Sequence, residues 1–145
     1  MIIAAVFWFT SQQEREIDTD VQLERIKKTD QNMLLGIESQ IRELMSAGNI
    51  HGSIELVVRA FQKRYIDEGK CHALLHETGH LAYAYYKNDT KFLSSFIDKK
   101  CDTAYMHGLE AEIFLENSEN NTFVTIIHHM CELALRRDST VYCYH

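Results

Sequence analysis

Proline is absent from all 145 residues and only six glycines interrupt them, where average usage near ~5% would give about seven prolines. With so few breakers, long helices joined by short turns are the natural outcome. The sequence therefore predicts an all-α fold, a compact multi-helix bundle with an N-terminal helical stalk. A Lys/Arg-rich stripe is also missing, and the formal charge is −6, which argues against nucleic acid as a partner because phosphate binding needs a cationic surface. No Cys-x-x-Cys pair occurs among the four cysteines, which weakens a structural zinc finger or a thioredoxin-like site.

At 46% hydrophobic residues, the chain is long enough for one domain with a sizeable core and too short for two of ordinary size. Residues 1–9, Met-Ile-Ile-Ala-Ala-Val-Phe-Trp-Phe, are apolar, but a bilayer needs ~20 apolar residues and a signal peptide wants a basic start. They read as an apolar stub, the end of a membrane anchor. Residues 10–30 read as a polar stalk, and 31–145 as a helical Cys/His-rich domain. The last three residues form a Cys-x-His element, Cys143-Tyr-His145, so the domain reads as truncated at its C-terminus.

Within the domain, Met33, Leu34, Ile37, Ile41, Leu44 and Met45 recur at spacings of three and four, an amphipathic helix stopped by Ala47-Gly48-Asn49. Ser53 is positioned to cap a second helix burying Leu56, Val57, Ala60, Phe61 and Tyr65, with Asp67-Glu68-Gly69 as its end. A third helix carries Leu74, Leu75, Leu81, Ala82 and Tyr85 as packing residues. Thr90 starts a short helix through Phe96. The Tyr105-to-Leu115 segment follows, and Thr122 opens a strongly apolar helix after a polar loop. Gly108, inside the Tyr105 segment, would cost about 1 kcal/mol in a helix relative to alanine, which points to the close approach of another backbone or a ligand.

The chemistry is concentrated in residues 71–80, Cys-His-Ala-Leu-Leu-His-Glu-Thr-Gly-His. On a helix, His76 and His80 lie one turn apart on one face, so two imidazoles can reach one Zn²⁺ while Glu77 projects beside them toward a metal-bound water. All the histidines but His51 fall from about the midpoint of the chain onward, and this clustering adds to the motif. Three histidines at 72, 76 and 80 span about 12 Å along a helix, too far for one tetrahedral ion. His72 is therefore expected behind the first ligands or at an additional metal, as is His145 in the terminal Cys-x-His. His128 and His129 face about 100° apart and cannot both line one site.

The His-Glu-x-Gly-His run, residues 76–80, resembles the active-site helix of zincin metallopeptidases. That resemblance implies His76 and His80 as metal ligands, Glu77 as catalytic base and a third ligand downstream. Glu110, thirty residues after His80, is the first choice for that ligand and His107 the rival; the metzincin continuation is absent. The function implied is a zinc-dependent, peptidase-like hydrolase acting through a metal-bound water on a peptide or protein substrate. A di-iron bundle reading of Glu77-Thr-Gly-His80 lacks a second Glu-x-x-His in the forward order. The wider pattern, Cys-His-x-x-x-His-Glu-x-Gly-His, then His-Gly-x-x-Glu, then Cys-x-His, also resembles a class of uncharacterised membrane-anchored microbial proteins.

Cys71, Cys101, Cys131 and Cys143 are disulfide candidates, and four cysteines allow three pairings. Together with the apolar stub they predict a membrane-anchored, extracytoplasmic location, with the membrane contacted through the N-terminus. A second functional reading follows from the surplus histidines: a non-enzymatic multi-histidine module, stabilised by disulfides, that binds zinc, iron, copper or haem. A purely structural interaction domain is the third.

Overall fold

The computed structural model describes residues 18–29, 32–97, 99–120 and 122–137. The apolar residues 1–9, the first part of the stalk, Cys143 and His145 lie outside them. The described residues form seven helices: α1 (Thr19–Thr29), α2 (Met33–Ser46), α3 (Ile50–Gln62), α4 (Glu68–Tyr86), α5 (Thr90–Ser94), α6 (Ala104–Asn117) and α7 (Thr122–Arg137). A single 3₁₀ turn, Ser118–Asn120, joins the last two. The fold is all-α, as the sequence predicts. Among the described residues no helix is long and apolar enough to cross a membrane.

Local chemistry sets the helix ends. Asn32 Oδ1 accepts from Leu34 N–H and Asn49 Oδ1 from Gly52 N–H, which caps α2 and α3. α2 stops where expected: Gly48, at φ 81°, ends it with bonds from Gly48 N–H to Met45 O and from Asn49 N–H to Leu44 O. α3 differs from the expectation at both ends. It begins three residues before Ser53, which is buried inside the helix and donates to Asn49 O. It ends at Gln62, where Arg64 takes the left-handed conformation at φ 59° that glycine usually fills. Asp67 does not close α3 but opens α4, accepting from Lys70 N–H at 2.9 Å. Asp89, rather than Thr90, caps α5.

Packing follows the apolar stripes. α2 packs on α3, with Ile37, Ile41 and Met45 of the first and Leu56 and Val57 of the second all buried. In the part of the stalk that is described, α1 buries Leu23 and Ile26 and packs on α2 and α3. Tyr65 ties its flank by donating to Glu24 at 2.7 Å. α4 sits at the centre and touches α2, α3, α5 and α6. α7 lies against α5 and α6, and Arg137 donates to Ser94 O and Ile97 O at the end of α5. Two aromatic expectations are corrected: Tyr85 and Phe61 are exposed, each on the outward side of its helix.

Candidate metal centre at the α4–α6 crossing

The contact between α4 and α6 is built from missing side chains. Gly79 of α4 and Gly108 of α6 face each other. A Cβ on Gly79 would overlap Tyr105 O and stand 3.0 Å from Gly108 Cα, and one on Gly108 would overlap His76 O. The backbones can approach this closely only because both positions lack Cβ, the packing logic of small-residue helix crossings. Gly108 thus admits another backbone, as its position in a helix predicts. Gly79, which the zincin resemblance treats as part of a catalytic motif, has the same packing role.

The two helices run in the same direction through this point. Before it, Cys71 of α4 is disulfide-bonded to Cys101, with Cα atoms 5.9 Å apart. Beyond it, His80 Nδ1 lies 2.7 Å from Glu112 Oε1, and Tyr83 Oη donates to Glu116 at 2.6 Å, where Lys87 also binds. Burial, with help from the Glu116 contact, pushes the Tyr83 hydroxyl up to about 12. Lys87 first and Tyr83 second hold the Glu116 carboxyl below its ordinary range. Among the described cysteines, Cys71 and Cys101 are bonded to each other; Cys131 is buried on α7.

Residues 101–103, which lead into α6, are unusual. Cys101, Asp102 and Thr103 have φ of 45°, 60° and 54°, a run of three left-handed residues none of which is glycine. Each costs about 1–2 kcal/mol relative to ordinary backbone, so the turn must be held by its surroundings. The disulfide holds Cys101, and Thr103 is buried. Two polar atoms of this turn reach histidines: Cys101 O is 3.1 Å from His72 Nδ1, and Thr103 Oγ1 is 3.3 Å from His107 Nε2.

Four imidazoles therefore line the crossing, all partly buried. Ring centres are 5.5 Å apart for His72 and His107, 6.3 Å for His72 and His76, and 4.7 Å for His76 and His80. An ion held at the usual Zn–N distance lies about 3.2 Å from a ring centre, so two imidazoles on one tetrahedral ion have centres about 5 Å apart. His76 with His80 and His72 with His107 match that separation; His72 with His76 is too wide. The row thus reads as two pairs.

The nitrogens have assignable roles. A carbonyl only accepts, so His72 Nδ1 carries the proton given to Cys101 O and leaves Nε2 with its lone pair. His80 Nδ1 donates to the Glu112 carboxylate, again freeing Nε2. Thr103 Oγ1 donates to Asp102 O at 2.7 Å, so it accepts from His107 Nε2. An imidazole whose far nitrogen is held by a carboxylate, carbonyl or hydroxyl is the usual state of a metal-ligating histidine. His76, the partner of His80, has its pKa lowered, chiefly by burial and then by His80, His72 and His107; Glu77 opposes the shift. It is a neutral base at neutral pH.

The remaining site expectations are distributed differently. Glu77 turns toward α2 and pairs with Arg42 at 2.7 Å, with both side chains substantially exposed. Glu110 is a partly buried residue of α6, and His107 meets His72. Among the described residues no three His, Cys, Asp or Glu side chains converge to hold one ion as they stand. His128 and His129 are exposed on α7, His128 facing Glu132 at 3.8 Å. Glu112 and the 101–103 turn are the parts that sequence reasoning did not select. The available signal was the spacing of Glu112 four residues after Gly108, which puts it on the face that meets α4.

No family model matches this chain, and neither the curated proteins nor the solved structures contain a significant match to it.

Proposed function

We propose that this domain is a non-enzymatic, multi-histidine module that binds small first-row transition-metal ions, zinc foremost, at the paired imidazoles of the α4–α6 crossing. The observation that carries the reading is the set of partners behind the rings. Three of the four histidines have one nitrogen engaged by an oxygen acceptor, which orients the ring, and in His72 and His80 this leaves the other nitrogen a Lewis base. Imidazole donors suit zinc, copper and iron alike. Side-by-side rings rising from one helix suit an ion better than the two opposed axial positions of haem. The disulfide is compatible with an extracytoplasmic setting, and an N-terminal attachment to a membrane belongs to the same proposal.

The zinc-hydrolase reading shares His76 and His80 and adds Glu77 as base. One observation keeps it in play: the Arg42–Glu77 pair is exposed and worth at most about 1 kcal/mol, so it does not fix Glu77 away from an ion. An ion would there acidify a bound water, and Glu77 would have to swing from α2 to accept its proton.

Zinc titration calorimetry and elemental analysis of tag-free protein test both. The module predicts bound zinc in the wild type, loss of one pair's share on His76→Ala and of the other pair's on His72→Ala, and little change in Glu77→Gln. Removing the carboxylate behind His80, in Glu112→Ala, should weaken its pair about 10–100-fold. Folded protein that takes up no zinc would end the metal reading. A peptide hydrolysis that vanishes in Glu77→Gln while zinc stays bound would replace the module with the hydrolase.

A further inference from the structure

The two histidine pairs differ in what stands behind them, and that difference is redox-sensitive. His80 is oriented by Glu112, a residue in the middle of α6. His72 and His107 are oriented by Cys101 O and Thr103 Oγ1, both atoms of the left-handed turn that the disulfide fastens to α4. We propose that the Cys71–Cys101 disulfide gates metal binding at the His72–His107 pair and leaves the His76–His80 pair unaffected. The proposal rests on the metal-binding reading of the row.

The physical route is short. Three consecutive non-glycine residues at positive φ persist only while tertiary restraints over-determine them. The disulfide is the one covalent restraint on this turn, and it joins Cys101 to the residue directly preceding His72. Cys71 is fully buried and Cys101 partly so, which makes the Cys101 sulfur the accessible end. A dithiol reductant attacks there, and Cys71 departs as a thiolate and takes up a proton. The second thiol of the reductant then closes its own disulfide and releases Cys101 as a thiol. Two electrons and two protons pass to the protein. The released turn relaxes toward right-handed or extended backbone, and the acceptors of His72 Nδ1 and His107 Nε2 move with it. His72 then loses the acceptor that fixes its tautomer and His107 loses its hydroxyl partner, and loss of such partners is the usual origin of a 10–100-fold loss of metal affinity.

The test uses the full chain and Co²⁺ alone as probe, followed by visible absorption. Two double variants isolate the pairs: His76→Ala/His80→Ala leaves His72–His107, and His72→Ala/His107→Ala leaves His76–His80. Each is titrated oxidised and after reduction by a water-soluble phosphine, with far-UV circular dichroism confirming the helices. Reduction should weaken Co²⁺ binding about 10–100-fold in the first variant and less than about threefold in the second, a difference that a general loosening of the fold would not give. In metal-free wild type, the nitrogen-bound proton of His72 should give a slowly exchanging resonance that disappears on reduction. Equal weakening in both variants overturns the gate, and so does no weakening in either. Tighter binding on reduction with a thiolate-to-cobalt charge-transfer band overturns it too, since the thiols would then be ligands. If neither oxidised variant binds Co²⁺, the metal reading fails and the gate with it. If both bind and the His72 resonance survives reduction, the gate alone fails.

Discussion

The α2–α3 contact and the α4–α6 contact hold the same kind of element together by opposite means. Where α2 packs on α3, the buried residues are apolar, Ile37, Ile41 and Met45 on one helix and Leu56 and Val57 on the other, so stability comes from apolar volume removed from water. At the α4–α6 crossing, Gly79 and Gly108 remove volume so that backbones meet, and the space beside them is given to imidazoles rather than aliphatic side chains. In the first contact the sensitive change is the loss of a carbon. In the second it is the gain of one. The difference matters for function because a glycine crossing brings chemically active residues from two helices within bonding range without large side chains in the way.

Changes of a single carbon break this comparison most directly. Gly79→Ala should cost about 3 kcal/mol or more, since the added methyl meets backbone atoms that cannot rotate aside. Denaturant unfolding measures it; a cost below about 1 kcal/mol would mean that the helices slide apart easily and the glycines do not set the crossing. Ile37→Val, in the other contact, removes one carbon from a fully buried side chain and should cost only about 1 kcal/mol. A larger loss there than in Gly79→Ala would invert the comparison.

Acid sharpens it further. His76 has its folded pKa depressed below the ordinary 6.5, so the unfolded chain binds its proton more readily. The stability this contributes to metal-free protein is fully present above about pH 6.5 and is lost as pH falls through the folded value. Thermal midpoints should fall over that window in wild type and fall less in His76→Gln, whereas Ile37→Val should shift all midpoints in parallel. Identical pH profiles for wild type and His76→Gln would remove His76 as the cause.

Much of the fold is legible in the sequence because helix formation is local. The absence of proline, the spacing of Ile37, Ile41 and Leu44, and the Ala47-Gly48-Asn49 stop each act within a few residues, and α2 ends where they indicate. The end of α3 departs from the sequence pattern for an equally local reason. Arg64 occupies the left-handed position that glycine normally advertises, so the stop carries no sequence mark, and Asp67-Glu68, which resembles a helix end, is the start of α4. The site was half legible. His76, His80 and His107 stand out as residues, but their partners do not, because Glu112, the Cys101 carbonyl and the Thr103 hydroxyl come from a helix and turn about thirty residues away.

By itself, the sequence determined that this chain is helical, where most of its apolar stripes lie, and that its histidines and cysteines gather in one half. Those properties follow from backbone propensity and side-chain periodicity, which act between near neighbours. Only the tertiary structure decided that Cys71 bonds Cys101 and that Gly79 and Gly108 form a crossing point. It also decided that four histidines divide into two pairs and that Glu77 turns to Arg42. These depend on how closely two distant helices approach and in which direction they run, and a backbone contact through two missing Cβ atoms leaves no periodic signal in the chain.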